Sequence, residues 1–552
     1  MAQISTSEVS VQMEHVSLLS SEPTTVEQLK VFCKPTYQMR KLRNKGAILV
    51  LIWSYLVMSV FIYLYSYAKH GGKLRLMVLG LSLPFAGWLA DILFGRYKVM
   101  YCSMWIMWVS SILTTASSVS LQLVDNNINL KINYYTSTVL MVIMAVGFGG
   151  YQANVIQFAM DQLYDASTNE IKSFITWYAW IIVGGGIVEH LAVICINENY
   201  HIFRLLIICT FLSLALVLNA FYGHLLVKEP VSNNPFKLVY KVIKYAIKTK
   251  HPRCRSAFTY CEESLPSRID FGKRKYGGPF TTEQVEDVKT FLQLLPALVI
   301  GCACGGVVIA NHGIEWYQLN LLLRFPIKHY KVEECYLETL FLQAFYYSAV
   351  LMIPLHEFIL YPILHKCFIW VKFYWKFVIG VMIQVAKIMS LMLIQVVARY
   401  NFQASRGYND TVECMFYESR SILSSSLDYR WMAVPNFLHS ISMSMMFVGG
   451  IEFLCAQVPY SMKGLIFGAT YGLGVISTVI VLALSFLFKK RLFIWSTGII
   501  SCGFWYFLLV LVIIIIISCV GFVVFKLYKN RRREDVLPNE QIFAERYYTK
   551  DY

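Results

Sequence analysis

Residues 449–463 read Gly449-Gly450-Ile451-Glu452-Phe453-Leu454-Cys455-Ala456-Gln457-Val458-Pro459-Tyr460-Ser461-Met462-Lys463. They close an apolar run that begins at Trp431. That run is long enough to cross a bilayer as a helix, which needs about 20 apolar residues. Pro459 and Lys463 mark where it leaves the membrane. Glu452 sits just inside this exit. Water does not solvate a carboxylate there, so its presence is costly and marks a functional candidate.

The rest of the chain extends the same reading. Of 552 residues, 57% are hydrophobic and 15% charged, and mean hydropathy is +0.53. Soluble domains carry about 25% charged residues, so a soluble fold would leave too much apolar surface uncovered. A β-barrel would alternate apolar and polar residues in segments of about ten, whereas here the runs are continuous. The fold class expected is an all-α polytopic membrane protein with twelve transmembrane helices in two six-helix halves. Spans are predicted near 46–68, 76–95, 99–122, 137–160, 172–195, 203–227, 290–311, 338–364, 371–398, 431–456, 462–488 and 501–526.

The domains follow from these spans. A tail, 1–45, precedes an N-terminal bundle, 46–227. A polar linker, 228–289, leads to a C-terminal bundle, 290–526, and a second tail, 527–552. The net charge of +16 fits lysines and arginines gathered in cytosolic loops. The linker is therefore placed in the cytosol, and both tails with it. Lys489-Lys490-Arg491 falls on the outer side and strains this topology. The basic residues flank spans and form no nucleic-acid module, so nucleic acid is not an expected partner. The first forty residues hold no signal-peptide core. Asn409-Asp410-Thr411 is a glycosylation sequon in a loop placed outside, as are Cys335 and Cys414, which a disulfide could join. Cys302 and Cys304 read as small packing residues in a Gly-rich helix.

Between spans two and three the chain reads Gly87-Trp-Leu-Ala-Asp91-Ile-Leu-Phe-Gly95-Arg96. Asp91 can cap the next helix or pair with Arg96, and Gly87 and Gly95 permit close backbone approach. This turn resembles the loop motif of the major facilitator superfamily, in which it implies a cytoplasmic gate. Two six-helix halves around a basic loop are likewise that superfamily's layout, with substrate bound at the midplane between the halves.

Three further segments occur in chain order. They are Gly149-Gly150 through Asp161-Gln162, then Val285-Glu286-Asp287-Val288-Lys289, then Glu452 through Gln457, Pro459, Ser461 and Lys463. Together they resemble the signatures of the proton-coupled oligopeptide transporter family, solute carrier family 15 in animals. The resemblance implies a secondary transporter of di- or tripeptide-like solutes working by alternating access, with protons as a coupling ion. The chain departs from the family in two places. The family's first helix carries Glu-x-x-Glu-Arg, but Gly46–Ala68 here has neither acid nor arginine. The fourth-helix signature carries a lysine where this chain has Gln152. The two charges are missing together, as expected of partners, because removing one alone strands the other.

Among the remaining ionisable residues within the predicted spans, Glu452, Glu189, His190 and Glu357 are the candidates for proton or substrate chemistry, with His356 beside Glu357. A structural ion pair between the halves is the competing role for Glu452, and structural roles compete for the others. Lys387 either snorkels or binds. Trp53, Tyr55, Tyr151, Gln152 and Asn154 are candidates to line a peptide-sized cavity, against ordinary packing. Glu14, Leu18 and Leu19 form an acidic dileucine pattern that sorting adaptors could read, which would suit a plasma or endolysosomal membrane. No nucleophile elbow, zinc helix or phosphate loop occurs. The expectation is no enzyme, no metal and no cofactor, with membrane lipid as the surrounding partner. Two other functions stay open: an uncoupled carrier of another small solute, and a non-transporting sensor or scaffold.

Overall fold

A computed structural model describes residues 44–66, 72–123, 127–163, 166, 170–182, 200–228, 235–249, 267–322, 348–355, 359, 373–406, 429–459, 462–487 and 504–528. These are almost entirely helical. In chain order the helices are α1 (Lys45–Ser66), α2 (Gly72–Leu89), α3 (Arg96–Leu123), α4 (Asn127–Gln162), α5 (170–182) and α6 (Tyr200–Tyr222). A short amphipathic helix, α7 (Pro235–Lys248), lies in the polar linker. Then come α8 (Thr282–Leu322), α9 (Ala349–Leu355), α10 (Phe373–Arg406), α11 (Ala433–Gln457), α12 (Lys463–Leu487) and α13 (Phe504–Leu527).

Among the described residues nine helices are long and apolar enough to cross a membrane, and α1 adds a shorter apolar stretch. The described parts of α5 and α9 lie where the fifth and eighth spans are predicted. The outward faces are apolar: on α13, Ile516, Val520 and Val523 are all at least half exposed. Apolar surface of this extent suits lipid, not water.

Helices α1 to α6 share one large apolar cluster that includes Trp53, Met104, Met144 and Phe158 and also takes in Ile353, Phe453, Ile466 and Phe467 of the later helices. A second cluster joins α8, α10, α11 and α13 through Val307, Phe377, Ile388, Leu391 and Phe507. The two groups meet chiefly where α2 runs antiparallel to α12. Small residues make that contact close. A Cβ on Gly87 would fall 2.2 Å from Gly464 O, one on Gly468 would fall 2.5 Å from Leu83 O, and one on Gly472 would fall 2.6 Å from Gly80 O. Gly464, Gly468 and Gly472 recur every fourth residue and so form one stripe, the small-residue arrangement that lets membrane helices approach backbone to backbone. Pro84 lies inside α2. Having no N–H, it frees the Gly80 carbonyl from its helical bond. That carbonyl faces Gly472. A second contact between the groups comes from α5, where Trp180 Nε1 donates to Val350 O of α9 at 3.0 Å.

Candidate functional site

The residues of the α2–α3 turn come together as a buried ion cluster. After Leu89 the helix widens into a π turn, Ala90–Phe94, closed by Gly95 N–H donating to Ala90 O at 3.0 Å. Gly95 has φ +82°, a left-handed value that a side chain disfavours. The extra residue re-aims Asp91 toward α12 and Arg96 toward α4. Arg96 Nη1 donates to both carboxylate oxygens of Asp161 at 2.8 and 2.6 Å, and its Nε and Nη2 donate to Asp91 Oδ1 at 3.3 Å. All three side chains are buried. The other Asp91 oxygen accepts the Leu465 N–H at 2.9 Å. Arg96 thus bridges two carboxylates, and Asp91 also faces the first turn of α12, where N–H groups without a helical acceptor and the helix dipole favour an anion. Gly464 leaves the room: a Cβ there would sit 2.7 Å from Asp91 Oδ1.

This cluster sits on the side of the polar linker. Gln162, at the end of α4, exchanges two hydrogen bonds with Val227, whose N–H donates at 2.8 Å and whose carbonyl accepts at 2.9 Å. Asn44 donates to the Gln162 carbonyl and caps α1 by accepting from Gly46 N–H at 2.8 Å. The segment leading into α8 is also held by charge. Asp270 accepts from Ser267 N–H and Oγ and pairs with Lys273 at 2.7 Å and with Lys289. Lys273 also reaches Glu286 at 2.5 Å. Burial works against the Asp270 charge, but the bonds from Lys273 and Lys289 outweigh it and hold this carboxyl well below its usual range.

The predicted cavity residues divide. Trp53, Tyr151 and Asn154 are buried in the first group of helices. Tyr151 shares a 3.3 Å hydrogen bond with Ser54, and Asn154 Nδ2 donates to Gly150 O at 2.9 Å. Tyr55 and Gln152 keep partial exposure. Gln152 Nε2 donates to Tyr178 on α5 at 3.1 Å. The Tyr471 hydroxyl of α12 lies beside this pair, though without the geometry of a hydrogen bond to either. A neutral contact between α4, α5 and α12 therefore occupies the place where the resemblance implied a lysine.

Glu452 has a partner that the sequence reading missed. Lys376, near the start of α10, reaches its carboxylate at 2.9 and 3.2 Å, with side chains 5% and 18% exposed. The pair lies between α10 and α11. Lys387 does not snorkel: it is fully buried, and its Nζ lies 3.2 Å from His439 Nδ1 on α11. The signal for both contacts was available. Successive antiparallel spans place the start of one at the depth of the end of the next, so Lys376 and Glu452 share a level, and Lys387 and His439 share another. Glu189, His190, His356, Glu357, Asn409, Cys335, Cys414, Glu14, Leu18 and Leu19 lie outside the described residues. Among the described residues no group of three or more His, Cys, Asp or Glu side chains could hold a metal.

Comparison with known proteins agrees with this architecture. The model of the POT family matches residues 97–490. Human solute carrier family 15 member 5 is 26% identical over 243 residues, covering 41% of this chain and 40% of that protein. The match thus spans less than half of that relative. Mouse solute carrier family 15 member 3 is 22% identical over 461 residues, covering 75% of this chain and 76% of that one. The crystal structure of the POT family transporter PepTSo superposes with a TM-score of 0.60 at 15% identity, covering 89% of this chain and 99% of that one. An auto-inhibited POT family peptide transporter gives 0.59 at 15% identity, over 90% and 99%. The fold is that of major facilitator transporters, the protein is a multi-pass membrane protein, and the chain belongs to the POT family, whose members are transporters and not enzymes.

Proposed function

We propose that this chain moves small peptides or related zwitterions across a membrane by alternating access, and that protons drive it. The observation that carries the reading is the family match over residues 97–490, joined to a contact between the two helix groups that is built to break. Residues 46–227 and 290–526 are the two rocking halves, joined by the linker 228–289 and flanked by the tails 1–45 and 527–552. The gate is Gly87, Asp91, Gly95 and Arg96 together with Asp161 and the first turn of α12. Asp91 holds α12 only while that helix end lies against it, so opening on the linker side exchanges the Leu465 bond for water.

Relatives support the substrate class. One solved POT transporter of like fold is described as a peptide transporter and another as a complex with 5-aminolevulinic acid; the latter superposes at a TM-score of 0.55. Both ligand types join an amino group to a carboxylate. Tyr55 and Gln152, which keep open surface, are the candidates to meet such a solute, with Trp53, Tyr151 and Asn154 shaping the wall behind them. Glu452 is the candidate proton carrier. Its protonation removes the charge that Lys376 holds, so a proton there would loosen α11 from α10. Glu189, His190 and Glu357 remain further candidates. Adaptor binding at Glu14, Leu18 and Leu19, and glycosylation at Asn409, belong to the same proposal.

The test is uptake of labelled dipeptide into proteoliposomes, with and without an inward proton gradient, with amino acids and 5-aminolevulinic acid as competitors. Gradient-stimulated uptake that Glu452→Gln abolishes is the expected result. Equal uptake in both conditions, unaffected by that substitution, would favour the uncoupled carrier, the reading that Gln152 and the uncharged α1 support. No uptake of any solute would leave only the sensor or scaffold.

A further inference from the structure

Helix α7 carries more apolar surface than the protein covers. Its sequence is Pro235-Phe-Lys-Leu-Val-Tyr-Lys-Val-Ile-Lys-Tyr-Ala-Ile-Lys248. At about 100° per residue its side chains divide into three faces. Pro235, Val242 and Ala246 form the first and are buried. Val242 belongs to the large apolar cluster, and Leu238 and Val239 pack against it. Phe236, Tyr240 and Ile247 form the second, with the partly buried Ile243 between them. These three are 49%, 62% and 74% exposed. Lys237, Lys241, Lys244 and Lys248 form the third, all within about 60° of one another around the axis. The lysine face borders the exposed apolar one: Lys244 Nζ lies 5.5 Å from the centre of the Tyr240 ring. The helix contains no acidic residue.

A helix that packs on a protein and otherwise meets water turns polar side chains outward on the faces left bare. Helix α7 does so on one of its two bare faces. Its position explains the other. It packs on the turn at Asp270–Gly272 and on α8, and its Tyr245 ring meets Phe280 edge-on at 6.0 Å. Phe280 stands two residues before α8 begins, and the apolar stretch of α8 starts with its first residue, Thr282. Helix α7 is therefore held at the depth where α8 enters the membrane. On the same linker side the end of α6 exposes the aromatic residues Phe221 and Tyr222, and aromatic side chains favour the level of the headgroups. An apolar stripe beside a lysine row at that depth fits a bilayer surface. The apolar side chains enter the boundary between headgroups and acyl chains, and the ammonium groups meet phosphate and carboxylate oxygens.

We infer that α7 is an interfacial helix that binds anionic lipid on the linker side of the membrane. Phe236, Tyr240 and Ile247 enter the leaflet, and Lys241, Lys244 and Lys248 hold the headgroups. A lipid bound there touches the segment that joins the two halves of the molecule. The inference depends on no particular solute and stands whether or not the chain carries peptides.

The full chain in phosphatidylcholine nanodiscs tests it. The nanodiscs contain a trace of phosphatidylserine or of phosphatidylcholine with a photoreactive acyl chain, and labelled peptides are located by mass spectrometry after illumination. Each lysine near an anionic surface contributes roughly fivefold to affinity, so labelling of 235–248 by the serine lipid should exceed that by the choline lipid at least about tenfold. Replacing Lys241, Lys244 and Lys248 together by Gln should bring the two lipids level. All three side chains are exposed, so the core does not depend on them. The preference of the unaltered chain should also shrink at high salt, which screens exposed charges and reads the lysines without substitution. Equal labelling of the unaltered chain by both lipids overturns the inference, as does a preference that survives both the substitutions and salt. Labelling by neither lipid gives the exposed face to water or to an acidic protein partner and overturns it as well.

Discussion

The α2–α12 contact and the α10–α11 contact are both antiparallel and both buried, yet they are built from opposite materials. The first joins the two helix groups through glycines and backbone, with Asp91 touching the end of α12 by one oxygen. The second lies within one group and is tied by long side chains, Lys376 to Glu452 and Lys387 to His439. Contact made largely through backbone and glycine, with Val475 and Ile476 packed over Gly80, lets surfaces separate and return with little rearrangement of rotamers. Side-chain ties bind more specifically, and they answer to charge. The proposed alternating access would part the smooth contact and leave the tied one joined within its own half.

Arg96→Met should break the first contact most severely. It strands Asp91 and Asp161 in a buried site, and losing one partner of such a cluster costs about 3–5 kcal/mol. A thermal unfolding midpoint equal to wild type would refute that account of the cluster, and adding Asp161→Asn should recover part of the loss. Glu452→Gln leaves Lys376 without its carboxylate. Because Glu452 is partly exposed, about 1–3 kcal/mol is expected. A double-mutant cycle with Lys376→Met measures the coupling, and additive losses would mean that the pair does not interact. Gly87→Ala places a methyl group against the Gly464 carbonyl and should destabilise the closed contact by about 1–3 kcal/mol. Labelling of α12 from the linker side should rise, while exchange in α10 and α11 stays as it was. Asp91→Asn keeps an acceptor for Leu465 but gives up the charge that faces both Arg96 and the helix end, for about 1–3 kcal/mol.

A further prediction lies outside both contacts. The Asp270 carboxyl is held below its usual range, so its stabilising effect is fully present above about pH 4, the unfolded value, and is lost as pH falls toward the folded one. Asp270→Asn should lower stability at neutral pH and flatten the acid limb of the stability curve. An unchanged acid limb would assign that limb to other groups.

Much of the fold was legible because hydropathy alone marks a helix that must meet lipid. The helices outrun the predicted spans: α4 begins at Asn127 where the span was read from 137, and α8 runs to Leu322 where 311 was expected. Their ends are polar, and hydropathy records only the apolar middle of a helix. The gate residues were legible because one short turn supplies Gly87, Asp91, Gly95 and Arg96. Asp161 was noted only as part of the fourth-helix signature, since nothing local announces that α4 ends beside α3. Lys376 and His439 were missed for the same reason. Each is unremarkable in its own helix and acquires meaning only from a neighbour of equal depth. The stripe Gly464, Gly468, Gly472 was visible in the chain, but glycine is common in membrane helices, and only its packing against α2 gives the spacing meaning.

Pro84 gives the α2–α12 contact a mechanical side. A helix that lacks one internal bond at its middle is more compliant there than a continuous one. The Gly80 carbonyl left over by that gap is covered by Gly472 of the opposite helix group. The bending stiffness of α2 is therefore shared with α12, and α2 is softest when α12 withdraws. Separation of the groups and flexing of α2 are then a single motion, with its pivot one turn above Gly87.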